Sequence, residues 1–355
     1  EILTKAGYSS RTRFPLSIED CSSESVMPRC IEGYVPWTLD CVEMVSCHSA
    51  VLKLSTKDPK RGTPHPRGRG RLASPITWHV TMLGGVGKND EGPLPWIERD
   101  YTPISSALEW ERGRVQILIK IYNTGQLTSW LRRTKITGYQ HAEQDDDGTA
   151  DTAAKKSIWL SKPLITLSVP DLVPDCDDGF KPSSVLLLLA GTGVVALPQI
   201  LAHREPYRLL GIPTPKYKQL LCPIDLILSC REDDLLLLED IKDWCDEGKK
   251  PHPKFRGLRN CTILVTTRGT AGDNTVPFPA FPKNSHEVIL RELESRATVH
   301  RSRRLDKQMI AESVGRMVEP CRVVVSGPDS FNQAARKLLE ECDFATSSQL
   351  TVLSA

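Results

Sequence analysis

Residues 185–202 read VLLLLAGTGVVALPQILA, a run without a single formal charge. A chain can place such a run in a bilayer or in a protein core, and the two outcomes exclude one another. A membrane-spanning helix needs about 20 apolar residues, and here Gly191, Thr192, Gly193, Pro198 and Gln199 interrupt the run. The leucines stop sharply at the glycines, as a strand buried on both faces does before it turns into a helix. We therefore expect a strand, a glycine turn and a helix, and no membrane span.

The same rhythm continues to the end of the chain. Strands are expected at 185–189, 224–229, 262–266 and 322–325, with helices at 194–203, 234–247, 306–317 and 331–342. Such alternation implies an α/β doubly wound parallel sheet. Ahead of it, segments 41–45, 50–54, 77–82 and 115–122 are short, β-branched or apolar, and separated by Gly, Pro and charged turns. That is the pattern of an antiparallel β-barrel. A length of 355 residues accommodates both units. The expected division is an extension or the tail of an upstream domain at 1–35, a barrel at 36–180 and an α/β domain at 183–355. Two insertions, basic at 57–71 and acidic at 141–156, are expected to be solvated loops, the first alternatively a docking patch or phosphate contact.

Composition narrows the function. With 46 basic against 44 acidic residues the formal charge is +2, which excludes a polybasic nucleic-acid binder. The 11 cysteines contain no C-x-x-C pair, so neither a zinc knuckle nor a dithiol motif is indicated, and free thiols point to a reducing compartment. The chain starts at Glu1 and shows no basic-then-apolar leader, so we expect a processed or truncated amino terminus, which leaves room for upstream domains. His48, without a partner at ligand spacing, is expected to be a surface histidine rather than a metal ligand. The basic cluster at 300–304 is expected to be a solvated face, or alternatively to steer an acidic redox partner.

Three constellations carry chemistry. Arg99, Tyr101 and Thr102 stand on an expected strand whose alternate residues share a face, and Ser105 follows. A guanidinium forks onto phosphate oxygens and a phenol packs flat on an aromatic ring. Lys120 and Tyr122 come next, and then Gly125 to Thr128, which opens a short helix able to hold an anion. The pattern R-x-Y-T-x-x-S, I-K-x-Y, G-x-x-T resembles the flavin-binding half of the ferredoxin reductase superfamily, nearest its cytochrome b5 reductase branch. The resemblance implies that Arg99 grips the FAD pyrophosphate and Tyr101 packs on the isoalloxazine. It places the Thr102 hydroxyl near flavin N5 and Thr128 at a phosphate, with Ser105, Lys120, Tyr122 and Gly125 in support.

The second constellation is Gly191-Thr192-Gly193 between strand and helix, which allows backbone to approach a pyrophosphate at a helix start. It stands where the superfamily carries its nicotinamide-nucleotide motif. Here Val195 and Ala196 replace the usual Thr-Pro pair, and Pro198 lies two positions later. The third is Ser326-Gly327-Pro328, which resembles the family segment C-G-P. Ser326 takes the place of the Cys beside the nicotinamide, and Gly327 lies against the dinucleotide. At the end of the third α/β strand, Arg268 stands where relatives that prefer NADH carry an acid, which favours NADPH. Ser229 and Arg231 are further candidates for that phosphate.

What the resemblance implies is an FAD-dependent NAD(P)H oxidoreductase. Hydride would pass from nicotinamide to flavin, with Thr102 and Ser326 nearest the reacting atoms, and single electrons would go on to a haem protein such as cytochrome b5, which can be a domain of the same chain. The expected location is the cytoplasm or the cytoplasmic face of an internal membrane. The departures at 195–196 and 326 motivate a second reading, a flavin- or nucleotide-binding module that has lost turnover.

Overall fold

The computed structural model describes residues 34–57, 75–85, 96–106, 109–110, 112–122, 127–128, 157–168, 182–202, 208–209, 212–213, 222–249, 257–267 and 285–354. Strands β1 (Tyr34–Met44), β2 (Ser49–Ser55), β3 (Pro75–Gly85), β4 (Trp96–Tyr101), β5 (Arg114–Lys120), β6 (Ser157–Ser161) and β7 (Leu164–Ser168) build the first sheet. It runs β4-β3-β6-β1-β2-β5 with every pair antiparallel, and β7 joins β3. Beyond β4 the chain bridges Pro103 to Ile117, and Ile104 N–H donates to Gln116 O at 2.9 Å, so β4 meets β5 and the sheet closes on itself. The first strand begins at Tyr34, two residues ahead of the expected start of the barrel at Pro36 and seven ahead of the expected strand at 41–45.

Alternation along β5 shows how the barrel is filled. Val115, Ile117 and Ile119 point into its core while Arg114 and Gln116 are exposed. Leu118 points outward and is buried all the same, because the second domain covers it there. Trp37 and Trp110 meet at a centroid distance of 4.5 Å, and Trp78 meets Trp110 edge-on at 5.5 Å. Such pairs add about 0.5–1.5 kcal/mol each beyond their buried area.

The second sheet is parallel throughout. The chain passes from β8 (Ser184–Ala190) through a 3-10 turn (Gly191–Val195) into α1 (Ala196–Ala202), and a two-rung hairpin β9 (Arg208–Leu209) and β10 (Ile212–Pro213) follows. Then come β11 (Ile224–Arg231), α2 (Leu238–Lys249), β12 (Asn260–Thr266), α3 (Ser285–Leu293), β13 (Thr298–Arg301) and α4 (Lys307–Gly315). The chain closes with β14 (Cys321–Gly327), α5 (Asp329–Glu340), α6 (Thr346–Gln349) and β15 (Leu350–Ser354). The order is β13-β12-β11-β8-β14-β15. Every residue of β8 is buried: Leu187 and Leu189 face α1, α2 and α3, and Leu186 and Leu188 face α4 and α5. This two-sided burial is why the run lacks alternation. It also settles the question raised by residues 185–202, which divide into strand, turn and short helix. No helix among the described residues is long and apolar enough to cross a membrane.

The expected fold class, an antiparallel barrel followed by a doubly wound parallel sheet, is therefore the observed one. Several details differ. The helix expected from Asp234 begins at Leu238, because Asp234 turns back to bridge Arg231 and Leu237 takes φ 57°. Asp329 is the first residue of α5 rather than its cap, a place held by Pro328. Strand β13 was not expected, nor were β6, β7, β9, β10, β15, α3 and α6; β13 is four residues long at the sheet edge with no fully buried side chain, so it leaves no apolar signature.

Candidate functional site

In an open parallel sheet ligands bind beyond the strand ends where the order reverses. From β8 the chain winds outward through β11, β12 and β13, then returns to place β14 on the other side of β8. The switch point thus lies beyond β8 and β14, where Gly191–Gly193 and Ser326–Gly327 stand.

The glycines there differ in role. Gly191 adopts φ +51°, and a side chain built on it would meet nothing within 4 Å, so the backbone faces open space. At Gly193 a Cβ would lie 2.2 Å from Ser326 O and 2.7 Å from Gly327 N. At Gly327 it would press on Ala190 Cβ and Phe331 Cδ1, both at 2.9 Å. The two motifs, far apart in sequence, form one cradle of bare backbone, further fixed by Asn332 Nδ2 donating to Gly327 O at 2.9 Å. Ser326 is 3% exposed and Thr192 half-buried. The fit to a dinucleotide rests on the open side of Gly191, which leaves room for a bulky phosphate against main-chain N–H groups.

On the barrel, β4 presents Arg99 opposite Met82 and Tyr101 opposite Val80. Arg99 is exposed and its guanidinium donates to Glu98 O at 2.7 Å, while the half-buried Tyr101 packs on the barrel core. Burial pushes the Tyr101 phenol up to about 12, with Arg99 opposing and Tyr122 adding to the shift. The hydroxyl therefore keeps its proton at neutral pH, and Arg99, Tyr101 and Tyr122 share one neighbourhood. Tyr122 is 45% exposed, with Lys120 Nζ 5.9 Å from its ring centroid. Thr102 is half-buried, and Ser105 Oγ accepts from Gln116 N–H at 3.0 Å, which ties the segment after β4 to β5. An exposed guanidinium beside a protonated phenol and a hydroxyl is a donor set suited to a phosphorylated aromatic ligand.

Two members of the set are engaged otherwise. The Thr128 hydroxyl closes its own loop, accepting from Tyr122 N–H at 3.3 Å and donating to Tyr122 O at 3.2 Å. Lys120 Nζ lies 2.8 Å from Asp234 of the α/β domain. Gly125 and Arg268 lie outside the described residues, as does nearly all of both insertions.

The seam between the domains contains residues the sequence reading missed. Asp234, buried, accepts from Ser46 Oγ at 2.5 Å and Ser49 Oγ at 2.8 Å besides pairing with Lys120. His48 is not at the surface as expected: it is fully buried, 3.1 Å from Asp233 Oδ2, because the turn between β1 and β2 docks on the loop after β11. Asp233 also receives two hydrogen bonds from Arg231, at 2.9 and 2.6 Å, so that arginine is already ion-paired. Burial pushes the Asp233 carboxyl up, but hydrogen bonds and charge from Arg231 and His48 outweigh it and hold it below the usual carboxylate range. His286 Nε2 lies 2.9 Å from Val45 O, and burial lowers its imidazole, so Nε2 carries the proton and donates. Gln199 of α1 reaches across to Trp78 and Pro103. One signal was available for Gln199: an uncharged polar side chain inside an apolar run must find partners when buried.

Residues 88–142 match the family model of the oxidoreductase FAD-binding domain. Among solved structures, the CS and cytochrome b5 reductase domains of human Ncb5or align at a TM-score of 0.52, with 17% identity over 90% of this chain and 69% of that one. The cytochrome b5 reductase domain of Ulva prolifera nitrate reductase aligns at 0.51, with 14% identity over 90% of this chain and 97% of that one. A ferredoxin NADP+ reductase from Neisseria gonorrhoeae, solved with FAD and NADP, aligns at 0.52, with 11% identity over 91% and 98%. Comparison with curated proteins finds no match. At such identities the likeness is one of fold, and it agrees with the ferredoxin reductase resemblance carried by the motifs.

Proposed function

We propose that this chain is an FAD-dependent NAD(P)H oxidoreductase, with the flavin held by the barrel across 36–180 and the dinucleotide by the α/β domain across 183–355. What supports the reading above all is the switch-point cradle of Gly191, Gly193 and Gly327 in a chain whose residues 88–142 match an FAD-binding domain. FAD, when bound, supplies a ring that accepts a hydride from reduced nicotinamide and releases electrons singly.

The residues of the chain bind and orient. Arg99, reaching solvent, holds the flavin pyrophosphate through charge-assisted hydrogen bonds. Tyr101 covers the ring and keeps its O–H as a donor, and Thr102 offers a hydroxyl to the reactive edge. Ser105, Tyr122, Gly125 and Thr128 shape the flavin phosphate loop, and Lys120 contributes through Asp234. Gly191, Thr192 and Gly193 receive the dinucleotide pyrophosphate, while Ser326 and Gly327 border the nicotinamide. The acceptor we favour is a haem protein, in keeping with the cytochrome b5 reductase domains among the similar folds.

Purified protein supplied with FAD is expected to be yellow, and NADPH is expected to bleach it under anaerobic conditions. A protein that takes up no FAD overturns the proposal. A yellow protein that neither NADPH nor NADH bleaches supports the second reading, a binding module without turnover, which the Val195-Ala196 pair and the buried Ser326 favour. Arg268→Asp is expected to lower the NADPH to NADH ratio of kcat/KM by roughly 10- to 100-fold, the worth of a charge-assisted contact at about 1.5–3 kcal/mol. An unchanged ratio removes Arg268 from the site.

A further inference from the structure

Strands β3 and β4 pair in register from Gly85 opposite Trp96 to Val80 opposite Tyr101. Two residues on, the same register would set Trp78 opposite Pro103. That pairing is not made: Pro103 turns to Ile117 of β5, and as a proline it has no N–H to give. The Gln199 side chain stands in its place. Its Oε1 accepts from Trp78 N–H at 2.8 Å, and its Nε2 donates to Trp78 O at 3.2 Å and to Pro103 O at 2.7 Å. This orientation of the amide is the complementary one; the flipped amide would set oxygen against two carbonyls. Gln199 is 4% exposed, so these backbone groups have no ready exchange with water.

The consequence is geometric. Pro103 adjoins Thr102, and Gln199 follows the Gly191–Gly193 turn by six residues, so one buried amide joins the segment assigned to the flavin edge with the element assigned to the dinucleotide. We propose that Gln199 is a positioning residue that sets the distance between these two segments. The inference rests on the oxidoreductase reading given above.

The test uses the full chain loaded with FAD, unaltered and as Gln199→Leu and Gln199→Glu. Leucine fills the volume and abolishes all three bonds. It is expected to speed hydrogen exchange at the Trp78 amide and slow the limiting rate of anaerobic bleaching roughly 10- to 100-fold, the cost of displacement by about an ångström, with FAD content retained. Protonated glutamic acid offers an O–H and a carbonyl, as the amide offers donor and acceptor, whereas the carboxylate has no donor. The Gln199→Glu rate, divided by that of the unaltered protein, is therefore expected to be highest at low pH and to fall as the carboxyl ionises. His79 and Asp100, 3.9 Å apart on the flanking strands, and Tyr101 are present in both proteins, so their contribution cancels in the ratio.

Unchanged Trp78 exchange and bleaching in Gln199→Leu overturn the proposal, as does a rate loss that merely tracks loss of FAD. A pH-independent Gln199→Glu ratio overturns it even if the leucine variant does not fold. If the unaltered yellow protein is not bleached at all, the oxidoreductase reading falls and takes the positioning role with it; bleaching of the unaltered protein with no effect at Gln199 removes that role alone.

Discussion

Replacement of Asp234 by alanine is expected to cost about 3–5 kcal/mol of stability, the range for deleting one partner of a buried ion pair. The side chain is 3% exposed and has no water to replace its partners. One oxygen takes hydrogen bonds from Ser46 and Ser49, and the other faces the Lys120 ammonium at 2.8 Å. Alanine leaves two buried O–H donors without an acceptor and a cation without its counter-ion. The value should fall toward the lower end, because Lys120 retains 15% exposure and can lean into water.

Since Ser46, Ser49 and Lys120 belong to the barrel and Asp234 to the α/β domain, the loss falls on the seam. Urea unfolding followed by tryptophan fluorescence, to which the barrel contributes the buried Trp37, Trp78, Trp110 and Trp159, is expected to separate from unfolding followed by far-ultraviolet circular dichroism. A cost below about 1 kcal/mol, typical of an exposed pair, would contradict this account of Asp234. Replacing Lys120 by Met and Asp234 by Leu together should recover part of the loss, since no bare charge remains. Recovery stays incomplete because the two serine hydroxyls still lack an acceptor.

The same residues mark where the sequence is legible and where it is not. The leucines of β8 and the valines of β14 announce a core sheet because both of its faces are covered, and the glycines after β8 announce a turn because the turn is local. The order of Arg99, Tyr101 and Thr102 is visible for a similar reason: they lie within one strand and its exit. Asp234, in contrast, reads as an acidic residue leading a helix, a place that needs no partner. Its partners Ser46 and Ser49 lie 188 and 185 positions away, and no period in a single chain reports a contact at that separation. His48 is misread for the same cause, since its neighbour Asp233 comes from the other domain. Gln199 reads as an interruption of an apolar run until the missing rung between β3 and β4 shows what it replaces.

Gly193→Ala should have the largest effect on dinucleotide chemistry. Alanine changes one hydrogen for a methyl group, yet that carbon would sit 2.2 Å from Ser326 O and 2.7 Å from Gly327 N, inside the contact distance of backbone that cannot rotate aside. Either the turn after β8 lifts or the end of β14 withdraws, and both moves open the cradle. Overpacking of this kind costs about 1–3 kcal/mol, and the displacement is expected to slow bleaching by NADPH by roughly 100-fold or more. FAD content should persist, because the collision is confined to the α/β domain.

Gly315→Ala supplies the control, since Gly315 ends α4 at the side of the sheet where β14 starts, away from the cradle, and its Cβ would meet nothing within 4 Å. If the cradle acts through close approach of backbone to backbone, Gly193→Ala must slow the reaction far more than Gly315→Ala, with FAD retained in both. Equal rates for the two variants would mean that contact between the turn and β14 is irrelevant to the dinucleotide, and the site beyond β8 and β14 would have to be abandoned.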